Sequence, residues 1–373
     1  MTNTLWTPSM SQYYKLLNQI SHVYGISEFH CNNSNLLICV KPSSKQEGLD
    51  DVVLRDHEEN SSLSSESSTV TKRLKFTPKT DAERQAIAFR KGMGTPNVDM
   101  AYNVTTKDVD LGNVILQLSQ FFKRPTVKKP CFIYYHGGDF VGNGPAVSRN
   151  FCRKLAELIG GTVINVDYRL APEVNADDLL ADCWQGLKFA HDNAKKLGID
   201  LNHLYVAGDS AGGNIAIEMA YLDLQKDTHL VKGIVPIYPM VQNDLAPSYQ
   251  NLSDLPKSQQ KLINDMDSGN IQALGYLGGV YSEPHSMSET LISPINMATS
   301  ELKQMPRTLI VTAEYDCLKS QDDEFANKLA VFHNDVQLIR YEGMMHGFLD
   351  KFGIVPQSED VCRQMSAWTF ENE

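Results

Sequence analysis

Residues 204–224 read LYVAGDSAGGNIAIEMAYLDL, and the order of these residues decides the fold. A short apolar run at 204–207 meets Gly208-Asp209-Ser210-Ala211-Gly212, a G-x-S-x-G pattern, and an apolar-periodic helix is predicted from Ala211 onward. A sharp strand-to-helix turn needs glycine on both flanks, because a Cβ there collides with neighbouring backbone. Such a turn lifts the Ser210 hydroxyl out of the sheet beside a helix N-terminus, where partial positive charge favours a developing anion. Without the flanking strand and helix, the same five residues would read as a Gly/Ser-rich connecting loop.

The pattern continues on both sides. Apolar runs recur at 131–135, 162–166, 233–238, 308–313 and 336–341. Helix-like segments at 148–159, 177–197, 211–224 and 322–333 lie between several of them. Short buried strands alternating with helices predict βαβ units and a mostly parallel central sheet flanked by helices, hence an α/β class. Residues 98–122 alternate in polarity, which predicts an antiparallel edge. Residues 240–290 break the alternation with Gly, Pro, Asn and polar side chains and read as an insertion.

The first 95 residues differ from the rest. Tyr13, Leu16, Leu17, Ile20, Val23 and Tyr24 fall at helical spacing and predict one amphipathic helix. Residues 41–69 include SSLSSESST after a charged stretch and carry too little apolar surface to pack, so a mobile loop is predicted there. A second helix is predicted over 81–91, capped by Thr80 and Glu83 and ended by Gly92, Gly94 and Pro96. The expected organisation is a helical attachment at 1–95 with a Ser-rich insert at 41–70, then an α/β domain at 96–373.

Composition narrows the class. Hydrophobic residues at 42% and charged residues at 21% are ordinary for a globular protein and exclude disorder and collagen. A formal net charge of −11 argues against a nucleic-acid-binding face. No apolar run approaches the ~18–20 residues that span a bilayer, so stable membrane association is not expected. Residues 1–6 carry no basic segment leading into an apolar one, so no secretory signal is expected. Seven scattered Cys without a CxxC pair suit reduced thiols and a cytoplasmic location, and neither a disulfide framework nor a metal site is predicted.

A serine hydroxyl is inert at its free pKa and needs a base. His346 has the best setting, in Gly343-Met344-Met345-His346-Gly347-Phe348 after the strand-like 336–341. His22, His57, His229, His285 and His333 stand in polar or helical contexts and read as solvated side chains. The base in turn needs an acid to fix its tautomer. Asp316 follows the strand-like 308–313, with Glu314, Asp322 and Asp323 as competitors; the last two suit the start of a helix. The order Ser210, Asp316, His346 is the one expected of an α/β-hydrolase. His136-Gly137-Gly138-Asp139-Phe140 follows another strand, where a glycine-rich loop can offer backbone donors to an oxyanion. Ala211, next to the serine, supplies a further N–H, and His136 is expected to bond the loop backbone.

Taken together, HGGDF (136–140), DYRLAPE (167–173), GDSAGGN (208–214), EYDCL (314–318) and HGF (346–348) resemble the hormone-sensitive-lipase-like family of α/β-hydrolases. The resemblance implies Ser210 as nucleophile, His346 as base and Asp316 as its orienting acid. It implies an oxyanion hole from the N–H groups of Gly138, Asp139 and Ala211, and no cofactor or metal. It also implies a helical cap built from residues 1–95 and 240–290. The implied activity is a serine carboxylesterase acting on short-chain acyl esters, with a homodimer as the expected assembly. An amidase or deacetylase would use the same triad, and a non-catalytic small-molecule binder shares the fold. Two departures stand out. Asp139 replaces the usual third glycine, and its carboxylate is expected to point away from the oxyanion. Val174-Asn175-Ala176-Asp177 replaces a proline-containing segment and is expected to reshape the pocket wall.

Overall fold

A computed structural model describes residues 28–30, 36–41, 76–90, 93, 97–122, 128–243, 279–332 and 335–371, with scattered positions between 252 and 268. Its strands are β1 (Glu28–His30), β2 (Leu36–Lys41), β3 (Val104–Asp110), β4 (Ile115–Phe121), β5 (Lys129–Tyr135), β6 (Thr162–Asp167), β7 (Ile199–Asp209), β8 (Gly233–Ile237), β9 (Arg307–Tyr315) and β10 (Val336–Met345). They share one sheet in the order β1-β2-β10-β9-β8-β7-β5-β6-β4-β3. From β2 through β6 every neighbouring pair is parallel. Antiparallel pairing is confined to β1–β2 and to β6–β4–β3.

The helices are α1 (Asp81–Phe89), α2 (Pro145–Leu158), α3 (Ala176–Asp192), α4 (Ala194–Leu197), α5 (Ala211–Gln225), α6 (Thr299–Leu302), α7 (Lys319–Phe332) and α8 (Pro356–Phe370). Side chains alternate across each strand, so β5 feeds two cores. Phe132 and Tyr134 pack with Phe151 and Leu155 of α2 and Val361, Met365 and Trp368 of α8. Cys131, Ile133 and Tyr135 pack on the opposite face with Leu179 and Leu187 of α3, Ile215 and Met219 of α5 and Phe325 of α7. Each such fully buried Leu, Ile or Phe contributes about 1.5–3 kcal/mol of hydrophobic stabilisation. The parallel strands β5, β7, β9 and β10 all end on one rim of the sheet, and every candidate catalytic residue lies just past one of those ends.

Most predicted elements are found, including the antiparallel edge β3–β4 and the Thr80–Glu83 capping box on α1. Four differences are informative. The 177–197 segment is divided at Asn193, where α3 ends and the four-residue α4 begins. The helix predicted from Asp322 starts three residues earlier, at Lys319. Helix α8 was not predicted: Val361, Cys362, Met365 and Trp368 do form one buried stripe, but its first turn, Pro356 to Glu359, is polar. Nor were β1 and β2, so the segment read as a helical attachment also contributes strands to the sheet edge. The predicted helix at 11–24 lies outside the described residues, as does the predicted loop at 41–69 apart from Lys41, which ends β2. Among the described residues, no helix is long and apolar enough to cross a membrane.

Candidate active site

Ser210 caps α5 with φ 55° and ψ −119°, a left-handed conformation that a non-glycine residue adopts only when its surroundings hold it there. The hold is backbone: Ser210 N–H donates to the Ile237 carbonyl at 2.9 Å, and the Ser210 carbonyl accepts from Asn214 N–H at 3.1 Å. The flanking glycines are required by space. A Cβ on Gly208 would sit 2.2 Å from the Gly212 carbonyl oxygen, and one on Gly212 would sit 1.9 Å from that of Tyr135.

The three residues singled out from distant parts of the chain meet at this turn. Ser210 Oγ lies 2.9 Å from His346 Nε2, and His346 Nδ1 lies 2.8 Å from Asp316 Oδ2. Asp316 is fully buried at the end of β9, and its other carboxylate oxygen accepts the Leu318 N–H at 2.8 Å. That bond leaves Oδ2 directed at the imidazole. Burial by itself would lower the His346 pKa, but the charge and hydrogen bond of Asp316, helped by Asp139 and Asp350, raise it to about 9. The competing acids are engaged elsewhere. Glu314 accepts the Gly343 N–H at 2.7 Å, Asp322 accepts from Thr312 Oγ1 at 3.2 Å, and Asp323 pairs with Arg340.

The loop after β5 is built as a cradle of amides. Gly138, Asp139 and Phe140 have φ of 129°, 54° and 62°, and the Gly138 carbonyl accepts from Val141 and Gly142. Among the described residues, none of the N–H groups of Gly138, Asp139 and Ala211 donates to another protein group. His136 serves the backbone, as expected: its Nδ1 donates to the Gly137 carbonyl at 2.8 Å, and its ring stacks on Tyr168 at 4.3 Å. Phe140 in turn stacks on Tyr281 at 3.7 Å, and the Tyr281 hydroxyl donates to Glu218 of α5 at 3.3 Å. Tyr281 thereby braces the loop.

A cavity of about 140 Å³ opens over Ser210 and His346. Asp139 lines it; burial raises its pKa to about 6, with His346 opposing the rise. Asp209 and Asp350 line it too. Burial raises both of their pKa values, although Asp209 accepts a 2.7 Å hydrogen bond from Tyr134 Oη. Phe89, Met93, Asn143 and Tyr238 complete much of the wall. Asp350, Asn143 and Tyr238 carry no signal in the sequence, because each lies outside a motif in a segment just past a strand, whose path only the fold defines. Asn175 does not reach the cavity. It caps α3 by accepting the Asp178 N–H at 3.0 Å. Among the described residues, no group of three His, Cys, Asp or Glu side chains is arranged to hold a metal ion.

A family model described as alpha/beta hydrolase fold matches residues 132–350. The carboxylesterase NlhH of Mycobacterium tuberculosis is 32% identical over 233 residues, covering 62% of this chain and 70% of that protein. An arylesterase of Saccharolobus solfataricus is 30% identical over 218 residues, covering 58% and 67%. Among solved structures, an esterase of Pyrobaculum calidifontis superposes with a TM-score of 0.62 at 27% identity, covering 79% of this chain and 94% of the other.

Proposed function

Because this chain belongs to the alpha/beta hydrolase fold family, in its hormone-sensitive-lipase-like branch, we propose that it is a carboxylic ester hydrolase working through an acyl-enzyme on Ser210. The observation that carries the reading is the continuous hydrogen-bonded relay from Asp316 through His346 to Ser210, 2.8 Å and 2.9 Å long. His346 Nε2 takes the Ser210 proton as Oγ attacks the ester carbonyl carbon. The carbonyl oxygen becomes an oxyanion facing the N–H groups of Gly138, Asp139 and Ala211. Collapse breaks the bond to the alcohol oxygen, which receives the proton from His346, and the acyl group stays on Ser210. Water then gives a proton to His346 and attacks the acyl carbon, and the Ser210 oxygen leaves with that proton.

Short acyl chains are the proposed substrates. A cavity of about 140 Å³ is small beside the roughly 300–1,000 Å³ of pockets that enclose drug-sized ligands. Phe89 and Met93 in its wall, and Tyr281 against Phe140, support residues 1–95 and 240–290 as a cap over the α/β domain. The test is hydrolysis of p-nitrophenyl esters from acetate to decanoate by wild type and Ser210→Ala. Activity that peaks at short chains and disappears in the variant supports the reading. Activity that survives the substitution removes Ser210 as nucleophile. If a folded wild type neither hydrolyses these esters nor is labelled by a fluorophosphonate, it is a binder and not an enzyme of this kind.

A further inference from the structure

The cavity wall is unusual in what it offers a leaving group. Asp139 lines the cavity together with Ser210 and His346, and its charge and that of the imidazole act on each other. Among the described residues, no Lys or Arg pairs with Asp139. Asp350 lines the same space from the turn after His346, with the charge of Lys351 as its counterweight. Asn143, also in the wall, has a buried Oδ1 that receives no hydrogen bond among the described residues. The remaining wall includes the rings of Phe89 and Tyr238. Acceptors, carboxylates and aromatic faces together suit a cation.

We propose that Asp139 is a specificity-determining residue that makes the site prefer esters of amino or quaternary-ammonium alcohols over uncharged esters of the same shape. The inference rests on the esterase reading above and refines it. The alcohol side is favoured because His346 delivers its proton to the leaving oxygen, so the alcohol must lie against His346, the residue that feels both Asp139 and Asp350. Catalysis starts with His346 neutral, and in that state the Asp139 carboxylate loses the imidazolium charge that otherwise opposes the rise of its pKa. A cationic leaving group restores the balance. Asp139, with a pKa of about 6, is ionised where such an enzyme would be assayed.

The experiment compares acetylthiocholine with its uncharged isostere, 3,3-dimethylbutyl thioacetate, by thiol release. Wild type is measured beside Asp139→Asn and Asp139→Gly, with p-nitrophenyl acetate as a common reference. The readout is the ratio of kcat/KM for the charged and uncharged thioesters within each protein, so a general loss in the oxyanion loop cancels. Wild type is expected to favour the cation by ~10-fold or more, as one partly screened charge pair allows. Both variants are expected to bring the ratio close to one. A wild type active on the neutral thioester with a ratio at or below one overturns the inference and leaves the esterase reading intact. So does a ratio unchanged by both substitutions. A folded wild type that hydrolyses none of the three substrates overturns the esterase reading, and the inference falls with it.

Discussion

Asp139 and His346 face one cavity from two different loops, and each changes the protonation of the other: the carboxylate helps hold a proton on the imidazole, and the imidazole restrains the rise of the carboxyl. A carboxylate so placed favours an imidazolium, the form His346 would take on if it accepted the Ser210 proton. It also keeps the resting base protonated to a higher pH than a free histidine.

The first prediction follows from that sign. Only neutral His346 can accept the Ser210 proton, so kcat/KM should climb as pH passes its pKa of about 9. Asp139→Asn removes a negative charge from beside the imidazole, lowers its pKa and should move the rising limb to lower pH. Profiles of p-nitrophenyl acetate hydrolysis, corrected for spontaneous hydrolysis, measure both limbs. A limb that stays in place would break the link between these two residues.

Asp316 and His346 are joined at 2.8 Å, with the carboxylate fully buried. Asp316→Asn keeps the shape but no longer fixes the tautomer with Nδ1–H toward the carboxylate. A fall in kcat of the order of 10⁴ is expected, with Ser210→Ala losing at least as much. Circular dichroism should be unchanged for Ser210→Ala. Single-turnover kinetics would separate a slow acylation from a slow release.

Gly212 sits where a Cβ would be 1.9 Å from the Tyr135 carbonyl oxygen, and that oxygen belongs to backbone. Gly212→Ala should therefore push β5 away from the turn and cost ~3 kcal/mol or more, at the upper end of overpacking penalties. Thermal melting of the variant tests this. A melting temperature equal to wild type would mean the turn has slack that the geometry denies.

Arg90 links α1 to the catalytic domain. It pairs with Glu173, donates to the Ala171 carbonyl at 2.5 Å and donates to the Val141 carbonyl in the loop after β5. The Arg90 side chain is 10% exposed and that of Glu173 11%. Removing one partner should leave a buried charge unpaired and cost about 3–5 kcal/mol. The double variant Arg90→Ala, Glu173→Ala should lose less than the sum of the singles, and denaturant melts of all four proteins give that coupling.

Tyr281 joins Phe140 to Glu218 of α5. Tyr281→Ala removes a fully buried ring and should destabilise by about 3–5 kcal/mol while slowing acylation through a loosened oxyanion loop. Tyr281→Phe keeps the stack and gives up one 3.3 Å hydrogen bond, so its kcat should stay close to wild type. Equal kinetic losses in both would assign the effect to the hydroxyl.

The sequence by itself determined the α/β class, the places of the inner strands and the order Ser210, Asp316, His346. These are local signals: period-two and period-3.6 patterns, and a glycine pair that only a tight elbow requires. It could not reveal that β1 and β2 join the sheet edge, because three and six residues carry too little pattern to distinguish from loop. It favoured Asp316 on position alone and left Glu314, Asp322 and Asp323 as competitors. That choice depends on which carboxylate the end of β9 aims at β10, and only parallel pairing of the two strands brings them together. Tertiary structure alone brought Asp139, Asp350, Asn143 and Tyr238 to one cavity, since the segments after β5, β8 and β10 converge there. A pKa, a charge balance and a preference for one leaving group are properties of distances between such loops, and distances across a fold are not written in the spacing of residues along a chain.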